Sequence, residues 1–418
     1  MSFAQHRASL YETLPENTLV ICYAGVPLHT NEDHYYHPFE VNSQFFYLTG
    51  LERENMIFLA VKTAGETKEM LFIEPADPLQ ERWTGKMPTR EEASAVSGIR
   101  DVRLTPDFSA MVSRYMSRFR MEHAYFDLYR NGEEDLPDYN ALKAREFRDR
   151  YPAVTLHDLH AACVPLREVK DEEEIDRVRR AVDITRQALT HVMRVVRPGM
   201  TEYQAQAEFE YTCHYLGAEK MAFPTISAGG LNGCMMHYET NRDPIAEGSL
   251  LLMDLGAKYG NYCSDITRTF PANGKYSPRQ RQIYDLVLKA NREVAACARP
   301  GLTLKDLNDR CKQVLSEGLM QLGLIEKPEE VGRYYMHSVS HSIGIDVHDC
   351  CFAGDVLQPG WIVSDEPGLY IDEESIGIRI EDDLLITENG CEVLSRDIPR
   401  DPDEIEALMA GEEGTVRK

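Results

Sequence analysis

The pentapeptide Arg-Pro-Gly-x-Thr occurs twice, at residues 197–201 and 299–303, and each copy joins two helical segments. The first pair is "DEEEIDRVRRAVDITRQALTHVMRVV" (171–196) and "EYQAQAEFEYTCHYLG" (202–217). The second is "RQRQIYDLVLKANREVAACA" (279–298) and "LKDLNDRCKQVLSEGLMQLG" (304–323). In the first helix Ile175, Val178, Val182, Leu189, Val192 and Val196 recur at helical spacing, so one face must be buried. Its acidic residues cluster at the start, where the helix dipole favours them. Thr201 with Gln204 forms a capping box, and Ser277-Pro278 reads as an N-cap followed by proline at the first helical position. Sequence rich in β signals follows each copy. Pro-Gly after a helix is common, but a five-residue match with matched flanks predicts a duplicated half-domain. A site shared by two such halves belongs at their interface.

The preceding residues have another texture. "TLVICYAG" (18–25), "NMIFLAVK" (55–62), "EMLFIEP" (69–75) and "HAYFDLY" (123–129) read as buried strands, and "SAMVSRYMSRFR" (109–120) as a helix. The expected organisation is an α/β (α+β) chain with an N-terminal α/β domain over 1–168 and a duplicated domain over 169–418. Asp and Glu outnumber Lys and Arg by 69 to 45, a formal charge of −24. Such a surface repels nucleic-acid phosphates and anionic membranes, so neither is an expected partner. No apolar run approaches the ~18 residues of a membrane span, and the first residues lack the pattern of a signal peptide. The ten cysteines, including adjacent Cys350 and Cys351, follow no framework spacing. Reduced thiols, and hence the cytoplasm, are expected.

Two hairpins carry the chemistry. "SLLLMDLGAKYGNYCSDITRTF" (249–270) reads as strand, turn, strand, with the turn centred on Tyr259-Gly260. That register sets Asp254 directly across from Asp265. "IVSDEPGLY" (362–370) and "GIRIEDDLLI" (377–386) form the second, and a symmetric loop centred on Glu373-Glu374 sets Glu366 across from Glu381. Facing Cβ atoms are only ~4.5–5.5 Å apart, and like charges there destabilise a sheet. Two such pairs, one per half, require a cation. Four carboxylates with one or two imidazoles suit Mn²⁺, Zn²⁺, Co²⁺ or Fe²⁺, the oxygen-rich set leaning towards Mn²⁺. They balance two divalent ions, which held ~3.5–4 Å apart can bridge a hydroxide and clamp a tetrahedral intermediate. Arg379 lies on the strand face of Glu381 and is expected to orient it. The stretch "HSVSHSIGIDVHD" (337–349) adds His337, His341 and His348, with no glutamate in the His-x-x-x-His spacing.

"MDLGAKYGNYCSDITRTF", "HSVSHSIGIDVHD", "EPGLY" and "GIRIEDD" together resemble the aminopeptidase P and prolidase family of proline-specific metallopeptidases. "RENMIFLAVK" and "ERWTG" resemble more loosely the creatinase-like domain that precedes the catalytic one. The resemblance implies a pseudo-twofold pita-bread catalytic domain. It implies metal ligands at Asp254, Asp265, His341, Glu366 and Glu381, with Asp265 and Glu381 bridging and Glu366 serving as general base. His237 in "GCMMHYETN", His337 and His348 would handle substrate around the scissile bond. Trp83 would reach a neighbouring subunit's site in a homodimer or homotetramer. Ser338 stands where the family has glycine, and Asp365 where an apolar residue or cysteine is common. Strand alternation points Asp365 away from the metals.

Three readings follow. An Xaa-Pro aminopeptidase would release the first residue of peptides with proline in second position. An Xaa-Pro dipeptidase must also bind the proline carboxylate, yet between the two ligand glutamates Arg379 is the only base. That favours the aminopeptidase. A non-catalytic pita-bread binding protein would lack the ligand set, which is complete here.

Overall fold

The computed structural model describes residues 3–32 and 35–411. Its contacts divide the chain into two compact units, 1–166 and 167–418, where the sequence placed the boundary after residue 168.

The first unit is built on six strands: β1 (Thr18–Tyr23), β2 (Ile57–Thr63), β3 (Glu66–Ile73), β4 (Val102–Leu104), β5 (His123–Phe126) and β6 (Thr155–Asp158). Their order in the sheet is β4-β3-β2-β1-β5-β6. The β1–β2 and β2–β3 pairs are antiparallel, while β5 runs parallel to both β1 and β6. The helices Phe108–Arg118 and Tyr139–Arg150 cover one face, over Ile21, Tyr23, Ile57 and Phe126. All four expected strands and the expected helix form, with ends that agree to within three residues.

In the second unit the helix Glu172–Val195 starts at Asp171, whose carboxylate accepts from the N–H groups of Glu173 (2.8 Å) and Glu174 (3.1 Å). Val178, Val182, Leu189 and Val192 are buried along it, each worth about 1.5–3 kcal/mol relative to exposure. The helices Glu202–Tyr215, Pro278–Cys297 and Leu304–Gln321 complete the two pairs. The repeated pentapeptide takes the same backbone twice. Gly199 (φ +89°) and Gly301 (φ +91°) both lie in the left-handed region, which explains glycine at that place. One continuous core draws on both halves, from Ile184 and Phe209 to Leu315 and Ile378. Among the described residues no helix is long and apolar enough to cross a membrane.

The strands of this unit are β7 (Lys220–Met221), β8 (Ile226–Gly229), β9 (Leu250–Leu255), β10 (Ala257–Tyr259), β11 (Tyr262–Cys263), β12 (Ile266–Pro271), β13 (Ile362–Asp365), β14 (Gly368–Ile371), β15 (Ile376–Arg379), β16 (Asp382–Thr387) and β17 (Gly390–Val393). They form two matching hairpins: β9 and β12 extended by β10 and β11, and β13 and β16 extended by β14 and β15.

The first hairpin departs from the expected register. Its turn is Gly260-Asn261, with φ of +55° and +63°. A two-residue turn that follows the strand twist needs positive φ at both central positions, which glycine and asparagine tolerate and Tyr259 does not. Tyr259 therefore pairs with Tyr262, and Asp254 faces Thr267 instead of Asp265. The two aspartates remain on one face as diagonal neighbours. The second hairpin keeps the expected register. Gly368 faces Arg379, Asp365 faces Asp382, and residues 372–375 make a symmetric loop.

Candidate active site

Each hairpin has a break in its ladder, and the carboxylates sit beside the breaks. Asp254 is in β9 and Asp265 just before β12; Glu366 follows β13 and Glu381 precedes β16. The two hairpins are stitched together there. The Glu381 N–H donates to the Thr267 carbonyl (3.0 Å), the Arg379 N–H to Thr269 Oγ1 (3.1 Å), and Thr269 Oγ1 back to the Arg379 carbonyl (3.0 Å). Buried Arg268 donates to the Glu381 carbonyl at 2.6 Å. Side chains from both halves thus open into one cavity of about 530 Å³.

The histidine segment forms another wall. Asp349 is held by Arg167 and by Lys170 Nζ (3.1 Å), and Arg167 also donates to Asp346 Oδ2 (2.9 Å). The His341 N–H donates to Ser364 Oγ (2.9 Å), and His341 and His348 stack with ring centres 4.0 Å apart. His341 Nδ1 lies 3.1 Å from the Ser342 carbonyl and donates to it, so Nε2 is left with a lone pair. That nitrogen lies 3.3 Å from Asp265 Oδ2, 3.5 Å from Glu366 Oε1 and 3.9 Å from Glu381 Oε1. Burial, then the neighbouring His348, pulls the His341 pKa down to about 3, so no proton sits on Nε2 at neutral pH. A lone pair facing carboxylates is repulsive unless a proton or a cation lies between them.

The carboxylates report the same deficit. Burial, followed by the charges of Glu381 and Asp254, pushes Asp265 far above the usual range. Burial and Glu366 do the same to Glu381. Burial lifts Glu366 to about 8, against the pull of Arg379. Asp254 Oδ1 and Asp265 Oδ1 are buried with no hydrogen-bond partner, although such atoms in folded proteins are nearly always satisfied. Asp265, His341 and Glu381 bring ligand atoms within 4.8 Å of one another. This oxygen-rich set with one imidazole fits divalent cations.

Arg379 is placed differently from the expectation. Its Nη2 donates to Asp254 Oδ2 (2.5 Å), Nη1 to the Tyr370 hydroxyl (2.9 Å) and Nε to Thr267 Oγ1 (3.2 Å). It reaches Glu381 only through Thr267, whose hydroxyl donates to Glu381 Oε2 at 2.6 Å. The cause is the register: Arg379 lies across from glycine, Gly368, and its side chain crosses to the first hairpin. Thr267 and Tyr370 are the members that sequence reasoning missed. Tyr370 lies inside the recognised "EPGLY" stretch, and its hydroxyl donates to His337 Nε2 (2.8 Å) while His337 Nδ1 donates to the Ser338 carbonyl (2.8 Å). Burial lowers His337 to about 4, so it stays neutral. His237, His337 and His348 all line the cavity; Trp83 does not. It stands 81% exposed on a short helix of the first unit. Asp365 is buried outside the cavity, accepting from Asn291.

Residues 176–388 match metallopeptidase family M24, and residues 3–124 match the aminopeptidase P N-terminal domain. The Xaa-Pro aminopeptidase of Haemophilus influenzae is 31% identical, with 97% of this chain and 96% of that protein covered. A candidate aminopeptidase P from Bacillus anthracis superposes with a TM-score of 0.95 at 40% identity, covering 98% of each chain. Escherichia coli aminopeptidase P with the inhibitor Pro-Leu gives a TM-score of 0.88 at 31% identity, covering 98% of each.

Proposed function

The chain belongs to metallopeptidase family M24, and from that premise we propose that it is an Xaa-Pro aminopeptidase that acts through two divalent cations. It is a hydrolase, a metal-dependent aminopeptidase with a pita-bread catalytic domain. The finer reading assigns Asp254, Asp265, His341, Glu366 and Glu381 as the ligands, with Mn²⁺ the preferred ion. Cations held there would lower the pKa of water in the site and polarise the scissile carbonyl.

The chain's own groups do the rest. Glu366 is the base: its carboxylate, held 3.3 Å from the Ser364 hydroxyl, accepts the proton of the attacking water and returns it to the leaving nitrogen. Arg379 fixes Asp254 and, through Thr267, Glu381. His237 and His348 offer hydrogen bonds to the substrate backbone. His337, backed by Tyr370, bounds the space for the proline ring, whose tertiary amide has no N–H to satisfy.

The choice of aminopeptidase over dipeptidase rests on one observation. Arg379 is the only Lys or Arg among the described residues lining the cavity, and it already serves Asp254, Tyr370 and Thr267. Among the described residues no further Lys or Arg lines the cavity to neutralise a free proline carboxylate. With Mn²⁺ bound, an Xaa-Pro-Yaa tripeptide should exceed the matching Xaa-Pro dipeptide in kcat/KM by at least about tenfold. A preference for the dipeptide would replace this reading with a dipeptidase. No hydrolysis, with less than one ion retained per chain, would support a binding protein. The ten free thiols accord with a cytoplasmic setting. Exposed Trp83 accords with a homodimer or homotetramer, which light scattering measures.

A further inference from the structure

The first unit contains a cavity of about 450 Å³, which falls in the ~300–1,000 Å³ range of small-molecule sites. Its floor is the sheet face at Ile21, Ile57 and Phe126, and the helices Phe108–Arg118 and Tyr139–Arg150 stand apart on either side. The lining is aromatic. The Tyr23 ring meets Phe108 and Tyr139 edge-on at 5.9 and 5.4 Å, and Phe126 packs on Phe147 at 5.3 Å.

Two polar groups in this cavity have hydrogen-bonding capacity to spare. Tyr23 lines the cavity at 7% exposure; its backbone N–H and carbonyl pair with Asn140, and no described residue bonds its hydroxyl. Burial raises its pKa, so the phenol remains a neutral donor. At the rim, Lys143 is paired with Glu146 (2.9 Å), but Arg150 has no carboxylate partner among the described residues and reaches only Ser109 Oγ, at 3.4 Å. An apolar aromatic wall, an unbonded phenol and, at the mouth, a guanidinium without a carboxylate partner specify complementary chemistry.

We propose that this cavity binds a small aromatic carboxylic acid, its ring between the two helices, a ring acceptor on the Tyr23 hydroxyl and its carboxylate on Arg150. Binding is non-covalent and independent of the peptidase site. Calorimetric titration of the full-length protein with 3-(4-hydroxyphenyl)propionate tests it, beside 3-phenylpropionate and the neutral alcohol 3-(4-hydroxyphenyl)propanol. Saturable one-to-one binding of the hydroxylated acid is expected, tighter than that of either comparator. Tyr23→Phe should weaken the hydroxylated acid about three- to tenfold and leave 3-phenylpropionate unchanged. Arg150→Gln should weaken both acids about tenfold and spare the alcohol. Val112→Trp, which fills the cavity, should remove binding of all three while peptide hydrolysis stays at the wild-type rate. No saturation by about 10 mM, an affinity weaker than ~3 kcal/mol of binding, overturns the proposal. So does binding that Tyr23→Phe and Arg150→Gln leave unchanged, a comparison that holds even if Val112→Trp does not fold.

Discussion

An imidazole lone pair directed at ionised carboxylate oxygens is unstable in a buried site unless a proton or a cation lies between them. His341, together with the unpartnered Asp254 and Asp265 oxygens, therefore marks where a cation fits. Replacing Asp265 or Glu381 by alanine should drop activity by at least about a hundredfold and bound metal below one ion per chain, with the circular dichroism spectrum retained. Thr267→Val is a finer probe. Losing the hydroxyl that joins Arg379 to Glu381 should weaken metal affinity about 10–100-fold, read by competition with a chelator. The raised carboxyls also predict a pH response. Folded, metal-free protein holds protons that the unfolded chain releases near pH ~4.5, and Glu366 keeps its proton to about 8. The stability of the metal-free protein must therefore fall as pH rises through that window. Its melting temperature should drop by several degrees between about pH 5 and 8, and the increase on adding Mn²⁺ should grow over the same range. A flat metal-free profile would contradict the crowding of these charges. At this scale the acidic ligand candidates were readable because charged residues in facing strands demand a reason. Thr267 and Tyr370 were not, since a hydroxyl on a sheet resembles ordinary filler until its partners are known.

Within the hairpins, the turn of the first was read one residue early. Moving a two-residue turn by one shifts each partner by two, and because strand side chains alternate, faces are conserved. The aspartates thus stayed together, but diagonally, at the ~7–8 Å spacing of such neighbours instead of directly opposed. That wider gap suits an ion better than direct opposition does. The second hairpin was read correctly because a symmetric loop of any length leaves the pairing intact. Two glycine positions hold this geometry. A Cβ on Gly256 would lie 1.9 Å from the Ser264 carbonyl oxygen, and one on Gly377 would lie 2.0 Å from the Gly233 carbonyl oxygen. Neither obstacle is a flexible side chain, so Gly256→Ala should cost more than about 3 kcal/mol in chemical denaturation and disable metal binding. At the turn, Asn261→Val forces a β-branched residue to positive φ and should cost about 1–3 kcal/mol, whereas Asn261→Gly should be near neutral.

Across the whole chain, a formal charge of −24 sets the field in which substrates arrive. Peptides with a basic residue beyond the proline should show a KM that rises with salt, while neutral peptides change little, because exposed charges are screened within about 8 Å at physiological ionic strength. Equal salt dependence for both would contradict such steering. The duplicated plan was visible in sequence because the pentapeptide and its flanking helices are local. How the halves join was not, since the Glu381–Thr267 and Arg268–Glu381 bonds link residues more than a hundred positions apart. Those links have a consequence for the history of the fold. Either half alone has one hairpin and two carboxylates, too few to surround an ion, while a pair of identical halves would close four around it. An ancestral chain of half the second unit's length could have held metal only as a symmetric dimer.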